Sequence, residues 1–63
     1  MINENIKTLK GILCPSNILS TKDGNVMVSF YKSFPYDEFL FKTIFVSGTL
    51  SGFTVLVEEV VLA

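Results

Sequence analysis

Sixty-three residues with one cysteine and no histidine leave room for a single domain. Two usual supports of so small a fold are excluded: a lone Cys14 cannot close an intrachain disulfide, and a zinc site of the ordinary type has too few ligands. The net charge of −1, from five lysines, no arginine and six acids, is not the basic footprint of a tight duplex-DNA binder.

The third support is association. A chain of this length buries only about 60% of the surface its unfolded form exposes. Its hydrophobic fraction is 49% and its mean hydropathy +0.53. That composition predicts apolar surface outside a small core, and with it a protein partner or a homo-oligomer.

In chain order, Met1 to Asn5 reads as a polar lead-in, and MINENIKTLK contains no apolar signal core. Ile6 to Leu13 follows as a strand, with Leu9, Gly11 and Leu13 at period two on one face; a short helix competes, since Ile6, Leu9 and Leu13 also fit helical spacing. Glycine inside a strand marks a bulge or a close backbone approach, as at a barrel bend. Cys14-Pro15-Ser16-Asn17 breaks the strand, because proline lacks an amide donor and fixes φ. Ile18 to Thr21 continues the sheet, and Lys22-Asp23-Gly24-Asn25 is a turn centred on Asp-Gly.

Val26 to Tyr31 alternates, with Val26, Val28 and Phe30 on the core face and Met27, Ser29 and Tyr31 opposite. Lys32 to Glu38 is a second break around Pro35, rich in aromatics. Phe39 to Ser51 reads as one long extended stretch, with Ile44, Val46, Gly48 and Leu50 facing inward. Ser51-Gly52 turns the chain, and Phe53 to Leu62 returns antiparallel. That last run lacks strict alternation, which predicts a bulge or burial on both faces. Four to five short strands, little helix and Gly/Pro turns predict a small all-β barrel. Closing such a barrel removes edges that otherwise aggregate.

The order of these features resembles the OB-fold family, most nearly the OB domains of bacterial replicative polymerase alpha subunits and the anticodon-binding domains of aminoacyl-tRNA synthetases. Leu9-Lys10-Gly11-Ile12-Leu13 resembles its first-strand element, and Ser20-Thr21-Lys22-Asp23-Gly24 its polar loop before a strand such as Val26 to Tyr31. Ile44 to Leu50 and Val55 to Val60 resemble its last two strands. The likeness runs from about Ile6 to Leu62 and rests on fold-forming positions. It departs where the usual third strand and the barrel-plugging helix are compressed into Lys32 to Phe41. Gly48-Thr49-Leu50-Ser51-Gly52-Phe53 also resembles an Sm-like element, but the Asp and Asn that should follow are missing.

No catalytic group is expected. There is no histidine for acid–base work and no nucleophile–base pair. Cys14 precedes a proline, has no cationic neighbour to activate it, and reads as a structural thiol. Glu58 and Glu59 are neighbours on a strand and should point to opposite faces, so they would not form one acid pair. No cofactor or metal is called for.

The resemblance implies a non-catalytic binding module. OB-folds bind single strands with aromatic platforms and a cationic groove, across the second and third strands and the flanking loops. By position this implies Met27, Ser29 and Tyr31 on the face, Lys22 in the first loop, Lys32, Phe34 and Tyr36 in the next, and Lys10 extending the track. Phe34, Tyr36, Phe39 and Phe41 serve equally as core plugs. The alternative is a protein-interaction, inhibitor or assembly module, which suits a small viral or mobile-element chain. It would use an apolar outer face or a late strand edge. No run approaches the ~18 apolar residues of a membrane span. With a lone cysteine, the expected compartment is the cytoplasm, or the host cytoplasm for a viral chain.

Overall fold

The computed structural model describes residues 6–63. The lead-in expected at Met1 to Asn5 lies outside them. Five strands carry the fold: β1 (Ile6–Cys14), β2 (Ile18–Thr21), β3 (Gly24–Ser29), β4 (Thr43–Ser51) and β5 (Thr54–Leu62). A single helical turn, α1 (Tyr36–Phe39), lies between β3 and β4. The strands form one sheet in the order β1-β2-β3-β5-β4, and β4 pairs back onto β1 to close a ring. Every pairing is antiparallel except β3 with β5, which is parallel.

Period-two alternation aims one row of each strand into the ring. The fully buried side chains are Leu13, Leu19, Val28, Ile44, Val46 and Val55, joined by Val57 and Phe34. Leu9, Val26, Phe30 and Val60, partly buried, pack against them. Each of the large side chains contributes about 1.5–3 kcal/mol by leaving water. Two glycines let strands approach. A Cβ on Gly11 would sit 2.5 Å from the Ser20 carbonyl oxygen, and one on Gly48 would overlap the Leu56 carbonyl.

The turns follow local chemistry. Lys22-Asp23 links β2 to β3, with the Thr21 hydroxyl donating to the Gly24 carbonyl (2.7 Å) and accepting from the Asp23 amide (3.1 Å). Gly52-Phe53 links β4 to β5, one residue later than expected, and Gly52 takes the positive φ of 63° that primed hairpin turns require. Ser16 and Asn17 both adopt left-handed φ (66° and 59°) in the β1–β2 link. The side chain of Tyr36 holds that link. Its hydroxyl donates to the Cys14 carbonyl and accepts from the Asn17 amide at 3.0 Å.

Three expectations are corrected. The third strand is not compressed: Gly24–Ser29 is that strand, and only the helix is reduced, to one turn. The stretch before Ile44 is not extended throughout. Tyr36–Phe39 coils, Phe41 takes a φ of 65°, and the strand begins at Thr43. Aromatic burial decides this, because Phe34 stacks between Phe30 (centroids 4.1 Å apart) and Phe39 (5.2 Å) and closes the ring's end. Lastly, Glu58 and Glu59 do not straddle the sheet. The β4–β5 register pairs Ser47 with Glu59 and Gly48 with Val57, so Glu58 is the extra residue of a bulge. A bulge breaks the alternation, and both carboxylates are exposed.

Candidate functional site

The residues proposed from sequence divide into two groups. Lys10 and Lys22 line one open groove of about 610 Å³ together with Thr8, Gly11, Thr21 and Thr43. The pairing explains their meeting. Ile12 lies beside Ser20 across β1 and β2, their pairing ends there, and the β2–β3 turn faces the outer edge of β1 across the groove. Lys10 also lies over the Phe45 ring, its Nζ 5.6 Å from the centroid, which holds the cation at the surface. Asp23 is the one carboxylate of the groove.

The groove continues onto the outer face of β2 and β3. Ser20 lies beside Asn25, and Ile18 beside Met27. Met27 (55% exposed), Ser29 and Tyr31 (45%) follow along β3 and the residues after it, and Lys32 is exposed beyond Tyr31. The face therefore has cations at both ends.

Phe34 and Tyr36 do not belong to this face. Phe34 is 9% exposed and enclosed by Phe30, Tyr31 and Phe39, so neither side of its ring is open to a ligand. Tyr36 is half-buried, with its edge against Phe30 and its hydroxyl committed to Cys14 and Asn17. Both are the core plugs offered as the other role for these aromatics.

One candidate was missed. Phe53 is 94% exposed in the β4–β5 turn, beside Thr54, which pairs with Met27. A ring in a Gly-Phe hairpin turn has no core within reach, and that signal was present in the sequence. Phe53 lies next to the Met27–Thr54 pair of this face, and Tyr31 lies beyond its Ser29 end.

Cys14 is half-buried, with its thiol toward the Ile12 carbonyl (3.5 Å). Among the described residues no three of His, Cys, Asp and Glu gather where they could hold a metal ion. A second exposed apolar group runs across the outer face of β4 and β5, where Phe45 lies directly beside Val61, with Leu56 further along. Comparison with protein-family models, curated proteins and solved structures returns no match.

Proposed function

We propose that this chain is a non-catalytic binding module of OB-like design that holds a short single-stranded nucleic acid across the outer face of β1, β2 and β3. One observation carries the reading: Lys10 and Lys22 share a groove that leads onto a face with Met27, Ser29 and Tyr31 along it and Phe53 beside it. The ring order, with β1 shared between β2 and β4 and a parallel closure of β3 on β5, supports the OB-like part. In this reading Tyr31 and Phe53 are stacking platforms, and Lys10, Lys22 and Lys32 neutralise phosphates. The few cations make binding weak and salt-sensitive, and exposed aromatic platforms take the unpaired bases of a single strand.

Fluorescence anisotropy with a labelled single-stranded oligonucleotide tests this. Binding is expected at low salt, and Tyr31→Ala or Phe53→Ala should weaken it about 5- to 150-fold, the range for loss of one stacked base. Lys10→Ala and Lys22→Ala should each flatten the plot of log affinity against log salt by about 0.7. No binding at low salt, or binding indifferent to all four substitutions, rejects the reading. A second reading, docking on a protein, is favoured by the exposed Phe45–Val61 pair on the outer face of β4 and β5.

A further inference from the structure

The ring closes through short pairings, and two strands outrun their partners. On one side β1 pairs with β4 from Ile6 to Ile12, but on the other side β2 covers only Ile12–Cys14. The outer edge of Ile6–Lys10 therefore pairs with no described strand. β5 has the converse gap. β4 covers it to Leu62, whereas β3 pairs only with Thr54–Leu56. The remaining stretch, Val57–Leu62, has no strand on its outer side among the described residues. The loop and helical turn between β3 and β4 do not fill the place, since their main-chain bonds run to one another or to Leu13.

These two edges carry opposite charge. The β1 edge holds Lys7 and Lys10, with Lys22 across the groove. The β5 edge holds Glu58 and Glu59. Unpaired strand edges are templates for another chain, and an extended strand added to such an edge gains main-chain hydrogen bonds over its whole length.

We propose that the β1 edge of one copy receives the β5 edge of a second copy, so that the chain assembles head to tail through a continued sheet. An antiparallel register with Lys10 opposite Glu59 also sets Leu9 opposite Val60, Thr8 opposite Val61 and Lys7 opposite Leu62. Each pair then matches in facing. Leu9 and Val60 are both half-buried on the inner side, whereas Thr8 and Val61 are both exposed. The ladder stops at the bulge, and Glu58 lies there free to reach the Lys22 side of the groove. Two-fold pairing is disfavoured by the same charges. β1 against β1 sets lysines among lysines, and β5 against β5 sets acids among acids. The β1–β5 contact is the complementary one, and made head to tail it propagates into a ring or an open filament. The ladder is short, so the main-chain bonds alone hold the contact weakly, and the exposed charge pairs both orient it and make it salt-sensitive.

Sedimentation of the full chain tests this. At low salt the weight-average mass should rise above 7.0 kDa with concentration and return to 7.0 kDa at high salt. Lys10→Glu with Lys22→Glu removes the receiving edge, and Glu58→Lys with Glu59→Lys removes the entering one. Each double variant alone should stay monomeric at every concentration, and their equimolar mixture should regain assembly. All four side chains are exposed, and unfolding curves that match wild type establish that each variant is folded. A wild-type chain that stays monomeric at millimolar concentration and low salt overturns the proposal. So does a mixture that stays monomeric, or assembly that survives in either variant alone. The salt titration of the wild-type chain tests the proposal without any substitution, and it does not depend on nucleic-acid binding.

Discussion

At the scale of single residues, the least replaceable positions are those where a side chain has no room. Gly48 faces the ring interior, where a Cβ would overlap the Leu56 carbonyl and press on the main chain of Val57. Backbone cannot swing aside as a flexible side chain does. Gly48→Ala is therefore expected to cost at least about 2 kcal/mol, the overpacking range, read as a lower midpoint in urea. Unchanged stability would mean that β4 and β5 are further apart than described. Gly52 is constrained differently. Its space is open, but its φ of 63° is one that side chains rarely adopt. Tyr36 shows why residue type alone misleads. An aromatic in a loop suggests a binding platform, yet its hydroxyl joins two main-chain groups of the β1–β2 link.

At the scale of elements, two departures from simple patterning matter. The first is the aromatic plug. Phe30, Phe34 and Phe39 stack in sequence and fill the end of the ring that a longer helix would otherwise close. The second is the bulge in β5. Val55 and Val57 point inward at period two, and Val60 points inward three residues later because Glu58 is extra. Deleting Glu58 restores unbroken alternation through Val57, Glu59 and Val60. Deleting Leu56 instead turns Val57 outward and strips the core. The Glu58 deletion should keep a single cooperative unfolding transition, and the Leu56 deletion should lose it, as followed by circular dichroism during heating. Equal damage from both would contradict the register.

At the scale of the whole molecule, the groove beneath the β2–β3 turn serves two proposed occupants. Lys10 and Lys22 would neutralise phosphates in one and meet Glu59 and Glu58 of a second copy in the other. Acids and phosphates cannot hold the same lysines together. An oligonucleotide added to the assembled chain should therefore lower its sedimentation mass, and higher protein concentration should weaken apparent oligonucleotide affinity. Assembly unaffected by saturating oligonucleotide would show that the two do not share the groove. The small core makes an assembly physically reasonable, because a chain of this size has few interior positions and many apolar side chains left outside.

The sequence by itself determined that strands dominate and where most of their inward residues lie. Leu9, Gly11 and Leu13, then Val28, then Ile44, Val46 and Gly48 are legible because alternation is a local property of an extended backbone. The Gly-containing turns were legible because turn chemistry is also local. Leu19, fully buried, was not singled out, since four residues between two turns are too few to show a period. Only the tertiary structure decided that Phe34 and Tyr36 are core, that both Glu58 and Glu59 face solvent, and that Lys10 and Lys22 share a groove. Each of these depends on which strands meet and where they part. Closure of the ring sets those contacts between residues far apart in the chain, beyond the reach of any local pattern.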